Sequence, residues 1–347
     1  PSDLASCSFQ QDTIKYKQKS SYVTESKLRY RGSIVVCIHN AFEDATNCLN
    51  SILRNTNLNI YKLVLVDDGS DIETSQLIST YSLDSRIDVI RNKTALGYTK
   101  SANMGIESSE GRFVILLNSD TIVAKGWIER LERCAFSRGN VAVVGPLSNA
   151  ASWQSIPELW NDGSWAINEI PSNMALDDFN KQLSLSSQCI YPEVKLVNGF
   201  CYLITKAAIS KIGLLDEKAF PVGYGEEDDY SIRANNLGFV NLIADDCYVF
   251  HAKSKSFGVE KRFELAKLGS KALKDKHSEE AVRSAVNSML GNDLLSTVRA
   301  YAVSSSPMRC LKLSDSTPKK ISIGWIKPHL ECVGGVRRTI EMTNRLC

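Results

Sequence analysis

Residues 221–251 read PVGYGEEDDYSIRANNLGFVNLIADDCYVFH. Four consecutive carboxylates, Glu226, Glu227, Asp228 and Asp229, follow Gly223 and Gly225 at the mouth of an expected helix, and a later strand ends on His251. Upstream, an apolar strand at 113–117 runs into Asn118-Ser119-Asp120-Thr121. An aspartate delivered at a strand end can coordinate Mg²⁺ or Mn²⁺. One protein carboxylate and one further ligand suffice, because such hard ions keep several waters. His251 is the candidate for that further ligand, the alternative being an ordinary structural histidine. A cation there would offset the charge that builds on a departing nucleotide diphosphate. Carboxylates in a helix's first turn are favoured by its dipole, which accounts for one or two of the four. Four behind two glycines point to a close approach to a ligand, and one whose pKa is raised by its neighbours suits the deprotonation of an attacking hydroxyl. The parts are those of a metal-dependent group transfer from a nucleotide-activated donor.

A second cluster is Val66-Asp67-Asp68-Gly69-Ser70. It follows an apolar strand and precedes a helix, so a carboxylate there can accept from the imide nitrogen of uracil or thymine. The alternative is that Asp68 or Ser70 only caps the helix starting near Ile72.

Such residues need a scaffold that brings strand ends to one rim. Short apolar runs predict strands at 34–38, 63–66, 87–90, 113–117, 141–144, 201–204 and 239–243, and apolar residues at helical spacing predict helices at 44–53, 72–81, 99–108, 127–136 and 206–212. A further helix runs from the acidic segment to Asn236. The alternation predicts an α/β fold with a largely parallel, doubly wound sheet and ligands at the carboxyl ends of its strands. Residues 146–192 are rich in Ser, Asn, Pro and Trp and read as a long loop over the site rather than core. The expected organisation is an N-terminal arm at 1–31, the catalytic domain at 32–258, a helical extension at 259–303, a linker at 304–320 and, at 321–347, the start of another domain. That tail pairs a strand at 321–325 with a Gly334-Gly335 turn into a helix, as nucleotide-binding domains open. One strand and one helix cannot bury a core, so the chain is expected to be a piece of a longer protein.

Composition restricts the partners. The 347 residues are 43% hydrophobic and 23% charged with net charge +2, values of a globular chain with no call for nucleic acid. No run approaches about 18 apolar residues, so no membrane-spanning helix is expected, and a signal peptide is expected to be absent or already removed. The ten cysteines are scattered without a CxxC pair. They read as reduced thiols of a cytoplasmic protein, with Cys37, Cys201 and Cys247 in or beside strands.

In order, the motifs CIHNA, VDDGS, Asn92 with LGYTKSANMGI, GRFVILLNSDT, NGFCYLI, GYGEEDDYSIRANNLGF and the strand ending in His251 resemble glycosyltransferase family 2, the inverting GT-A enzymes, across residues 33–258. The resemblance implies a GT-A fold and a Mn²⁺ or Mg²⁺ cofactor. It implies a UDP- or dTDP-sugar donor, dTDP-rhamnose favoured, and as acceptor a hydroxyl of a lipid-linked surface glycan such as O-antigen, capsule or cell-wall polysaccharide. By it, Ile38, His39, Asn40, Asp67, Asp68, Asn92, Gly97, Asn118 and Ser119 line the nucleotide, and Asp120 and His251 hold metal and diphosphate. Glu227, or its neighbour Asp228, is the base, and Asn198, Gly199 and Trp153 face the acceptor. The sequence departs from the family at three points. The usual DxD is Asn118-Ser119-Asp120, the usual catalytic Asp is Glu227, and His39 stands where a stacking tyrosine is common. The tail KISIGWIKPHLECVGGVRRTIE is similar to the start of a GT-B, family 4-like transferase. Membrane association would then be peripheral, within a polysaccharide-assembly complex.

Two rival readings have distinct signatures. A GT-A-like docking module would bind nucleotide without turnover. A nucleotidyltransferase would need a Gly-rich basic loop after the first strand, which CIHNAFEDAT lacks.

Overall fold

The computed structural model describes residues 28–172, 174–253 and 259–304. All of these belong to the first of two compact units, Pro1–Ser306, the second being Pro307–Cys347. Arm residues 1–27, the linker after Ser304, the tail at 321–347 and His329 lie outside the described residues.

The chain opens with β1 (Gly32–Ile38), α1 (Phe42–Asn55), β2 (Tyr61–Asp67), α2 (Ile72–Thr80), β3 (Ile87–Arg91), α3 (Tyr98–Glu107) and β4 (Phe113–Asn118). A short β5 (Thr121–Val123), α4 (Trp127–Ala135) and β6 (Val141–Leu147) follow. A small hairpin, β7 (Trp160–Asn161) and β8 (Ser164–Trp165), precedes α5 (Leu176–Ser186) and β9 (Glu193–Val194). Then come β10 (Cys201–Thr205), α6 (Lys206–Ile212), α7 (Glu226–Asn236) and β11 (Val240–His251). Three helices close the described chain: α8 (Val259–His277), α9 (Glu279–Leu290) and α10 (Asp293–Ser304).

The main sheet has the order β3-β2-β1-β4-β10-β6-β11-β5, with β9 beside β11. β1, β2, β3 and β4 are mutually parallel, and β6 and β11 share their direction, while β10 runs antiparallel between β4 and β6. The sheet is therefore mostly parallel, as expected, with one reversed central strand that apolar content alone does not reveal.

The continuous apolar strands follow from burial on both faces. Successive side chains alternate across the sheet. Ile34, Val36, Leu63, Leu65, Ile115 and Leu117 pack with α1 and α4 on one side. Val35, Val64, Val66, Val114 and Leu116 pack on the other with residues of α3 and α7 and with Met289 and Val298 of the C-terminal helices. On α1 the buried Ala45, Cys48, Leu49 and Ile52 recur at helical spacing and form its core stripe.

The expectation that 146–192 is a loop outside the core is corrected. Ser148, Asn149, Ala150, Ala151, Gln154, Ser155 and Ile156 are all buried, and α5 places Phe179 and Leu183 in the second core cluster. Its return to β9 is held by Asp245, which accepts from Ser187 Oγ at 2.7 Å and from the amides of Ile190 and Tyr191 at 3.2 and 2.9 Å. Polar residues are buried here because each finds a hydrogen-bond partner, which a hydrophobicity pattern cannot show.

The described cysteines are free thiols. No described helix is long and apolar enough to cross a membrane.

Candidate active site

Asp67 and Asp68 end β2 beside the ends of β1 and β3. Asp67 is turned inward, its Oδ1 accepting from the Ser70 amide at 2.9 Å and its Oδ2 pairing with Arg91 Nη1 at 2.7 Å. It is buried, at 1% exposure, and braces this corner of the site through Ser70 and Arg91. Asp68 organises the loop before α3, accepting from Asn92 Nδ2 and the Leu96 amide at 2.8 Å and from the Gly97 amide at 2.9 Å. Burial works against its charge, but the Leu96 amide, Asn92, Ser101 and the Gly97 amide outweigh it, so its pKa is lowered. Gly97 has φ +94°, and a Cβ there would meet the Pro221 carbonyl oxygen at 2.2 Å. Only glycine lets this loop touch the segment ahead of the acidic helix. His39 donates from Nδ1 to the Asp68 carbonyl at 2.8 Å, in the tautomer that leaves Nε2 as an acceptor. Asn40, in a left-handed conformation, receives the Asp71 amide on Oδ1 at 2.8 Å, and the Ile38 carbonyl accepts from the Asp68 amide at 2.8 Å. Asp71, not Asp68 or Ser70, caps α2 through the Thr74 amide.

Asn118 closes β4, and its carbonyl accepts from Thr121 Oγ1 at 2.8 Å. Ser119 and Asp120 form the tight turn into β5. β5 pairs antiparallel with the end of β11, Thr121 opposite His251, and this register sets Asp120 beside the imidazole. Asp120 Oδ1 lies 3.3 Å from His251 Nε2. His251 Nδ1 is 2.9 Å from the Ala150 carbonyl, to which it donates, so Nε2 is the nitrogen that faces the carboxylate. A backbone carbonyl fixing the remote nitrogen is the usual support of a metal-ligating histidine. Two ligand atoms about 2.1 Å from one cation at a right angle lie about 3 Å apart. Asp120 and His251 therefore fit as two neighbouring ligands of a divalent ion. Among the described residues no third His, Cys, Asp or Glu joins them, so substrate oxygens and water would complete the shell. Asn149, which lies in no motif, grips the His251 backbone from both sides, its Oδ1 2.7 Å from the His251 amide and its Nδ2 2.9 Å from the carbonyl.

Of the four carboxylates of α7, Glu226, Glu227 and Asp228 lie close enough to raise one another, while Asp229 turns to α8. A helix advances about 100° per residue, so consecutive side chains point to different neighbours. Asp229 is fully buried and faces α8, where Lys276 Nζ and His277 Nε2 lie 2.8 and 2.7 Å from its Oδ1, and Arg233 Nε donates to its Oδ2 at 2.8 Å. His277 is thus structural. Gly269 completes the junction, since a Cβ there would sit 1.6 Å from the Tyr224 carbonyl oxygen. Removing one partner of a buried ion cluster leaves the others unpaired. Asp229→Ala is expected to lower stability by about 3 kcal/mol in urea unfolding, whereas a loss within about 0.5 kcal/mol would show the cluster to be incidental.

Glu226 points inward with 6% exposure, and its Oε2 has no hydrogen-bond partner. Burial, then the charge of Glu227, pushes it well above the usual carboxylate range. Asp228 is raised likewise, by burial and then by Glu227. Glu227 is raised by burial too, but the Gly225 and Gly199 amides pull it back. Its Oε2 accepts from the Gly225 amide at 3.1 Å. Glu227 is thus held by hydrogen bonds that favour its anion. The sign for Glu226 is definite. Above the unfolded value of about 4.3 the unfolded chain releases this proton while the native state keeps it, so its contribution to stability falls as pH rises towards the folded value. Glu226→Gln should match the parent in chemical denaturation at pH 4 and exceed it increasingly up to pH 8. A constant difference would mean that Glu226 titrates normally.

The loop 198–200 joins the two halves of the site. Gly199 lies against Glu227, since a Cβ there would be 3.4 Å from that side chain's Cβ, Cγ and Cδ. Phe200 stacks on His251 at 5.1 Å and 16°. Asn198 is held by the fully buried Gln154, whose Oε1 accepts its amide at 2.7 Å. Trp153, one residue before Gln154, packs edge-on against Trp165, and its carbonyl accepts from Arg299 Nη1 of α10 at 2.9 Å. Asn149, Gln154 and the Asp229 partners are the residues that sequence reading missed. None sits in a motif, and only their buried polar bonds distinguish them.

Fold and sequence together make the chain similar to the glycosyltransferases. Residues 33–183 match the family model described as glycosyl transferase family 2, and the α/β sheet with flanking helices is of GT-A type. The chain is similar to glycosyltransferase GlyG of Streptococcus pneumoniae, 27% identical over 237 residues, 65% of this chain and 71% of that protein. It is similar to an uncharacterized glycosyltransferase of Haemophilus influenzae, 29% identical over 113 residues, 33% of this chain and 35% of that one. A Rickettsia conorii glycosyltransferase, also uncharacterized, is 21% identical over 321 residues, 86% of this chain and 51% of its own length. The chain thus spans from about a third to under three quarters of these relatives. Among solved structures, a mannosyltransferase of Pyrobaculum calidifontis in complex with GDP-Man and Mn²⁺ shares the fold, with TM-score 0.53 and 14% identity over 81% of this chain and 79% of that one.

Proposed function

We propose that this chain is an inverting, metal-dependent glycosyltransferase that moves a sugar from a UDP- or dTDP-sugar to a hydroxyl of a growing surface polysaccharide. The observation that carries the reading is the 198–200 loop, which touches Glu227 through Gly199 and His251 through Phe200. It couples a base-like carboxylate to a metal-ligand pair, the two functions that such a transfer needs.

In this reading Glu227 takes the proton from the acceptor hydroxyl as its oxygen attacks the anomeric carbon from the face opposite the leaving diphosphate. Asp120 and His251 would hold a divalent cation, which would supply compensation for the charge on that diphosphate. The imidazole in the ligand pair favours Mn²⁺ over Mg²⁺, and the Pyrobaculum relative was solved with Mn²⁺. Asp68 and the loop it organises, Asn92 to Gly97, hold the base and ribose with Ile38, His39 and Asn40. Asp67 acts through Arg91, and Asn118 and Ser119 shape the floor. dTDP-rhamnose is the first donor to test and a lipid-linked glycan the first acceptor, with peripheral association at the cytoplasmic membrane face. The similarity of 321–347 to a GT-B start extends the proposal to a protein with two transferase domains.

The test is calorimetric titration of the chain with UDP and dTDP, each with and without Mn²⁺. Metal-dependent binding of one nucleotide is expected. Binding indifferent to metal would keep the nucleotide site and sink the roles of Asp120 and His251. No binding by a folded chain would favour a docking module.

A further inference from the structure

The β7–β8 hairpin carries an aromatic surface that the transfer chemistry does not use. Trp160 and Trp165 stack face to face, with centroids 4.1 Å apart and planes at 20°, and Trp165 meets the edge of Trp153 at 4.6 Å and 81°. Trp160 is nonetheless 47% exposed. A tryptophan that only completed a core would be covered. A flat ring left open to solvent on a second ring offers a contact surface.

The hairpin is held firmly. Its turn residues Asp162 and Gly163 both have positive φ, 48° and 76°, as a two-residue type I′ turn requires. Across its base Asn168 Nδ2 donates to the Glu158 and Asn149 carbonyls at 2.9 and 3.0 Å. Asn149 is the residue that grips His251, and Trp153 adjoins Gln154, which positions Asn198. The aromatic shelf is therefore fixed to both the metal side and the acceptor side of the candidate site.

We propose that the Trp160–Trp165 stack is the platform on which a pyranose ring of the acceptor glycan lies, a reading that rests on the proposed transferase function and names the recognition element for its acceptor. A pyranose has an apolar C–H face to lay on an indole and hydroxyls around its edge. Asn161, Asp162 and Ser164 of the same hairpin are exposed polar residues. An anionic membrane surface does not fit, because residues 158–165, ELWNDGSW, carry two carboxylates and no basic residue.

The test uses the full chain, Trp160→Ala and Trp160→Phe on an array of purified bacterial surface polysaccharides, with UDP and dTDP calorimetry on the same samples. Retention of one or more polysaccharides is expected, weakened about tenfold in Trp160→Ala and largely kept in Trp160→Phe, with nucleotide binding equal in all three. Glycan retention unchanged in Trp160→Ala, or no polysaccharide retained by a chain that binds nucleotide, overturns the platform alone. Absence of nucleotide binding in the unaltered chain sinks the transferase reading instead. Retention on phosphatidylglycerol vesicles that Trp160→Ala abolishes, without glycan retention, overturns the platform in favour of a membrane contact.

Discussion

Glu227→Gln is expected to lower sugar transfer, read as nucleoside diphosphate release with acceptor present, by about 10²–10⁴-fold, the usual worth of a positioned general base. The change keeps the shape and the hydrogen bond from the Gly225 amide, so nucleotide affinity should not move. That split separates a base from a binding residue. The pH profile sharpens the test. Burial raises the Glu227 pKa while the Gly225 and Gly199 amides restrain it. A base works only when deprotonated, so the acid limb of kcat/KM should lie above the ordinary carboxylate value of about 4.3. That limb should vanish with Glu227→Gln. Should Asp228→Asn abolish transfer while Glu227→Gln leaves it intact, the assignment moves one residue along the helix.

The second large effect is expected at the other end of the 198–200 loop. Asp120→Asn and His251→Ala should each weaken Mn²⁺-dependent nucleotide binding at least about a hundredfold, with binding in the absence of metal unchanged. The reason is geometric. Asp120 Oδ1 and His251 Nε2 stand 3.3 Å apart, and the Ala150 carbonyl occupies the other imidazole nitrogen, so losing either atom leaves a single protein ligand. Asp120→Asn preserves size and removes charge, which guards against a merely structural effect. Equal Mn²⁺ dependence in Asp120→Asn and the parent would refute the metal assignment, and the 3.3 Å contact would then be an ordinary ion pair.

How much of this was legible beforehand depends on the range over which each feature is determined. The strands β1, β2 and β4 are runs of apolar residues because both their faces are covered, and that composition is written locally. The placement of Asp68 and Asp120 at strand ends is local too, since each directly follows such a run. The acidic first turn of α7 was visible as a turn but not as a division of labour. Helical geometry turns Asp229 to α8, and its partners there, Lys276 and His277, are supplied from more than forty residues away.

Local order therefore determined by the sequence alone comprises the strand–helix alternation, the glycines that admit close backbone approach, and the candidate carboxylates and histidine. Only the tertiary structure decided what those groups do together. The antiparallel insertion of β10, the burial of 146–156 and the pairing of β5 with β11 that brings Asp120 to His251 are all long-range choices. The physical reason is that hydrophobic periodicity reports which residues leave water. Strand register and the satisfaction of buried polar groups depend on partners that the chain supplies from far along its length.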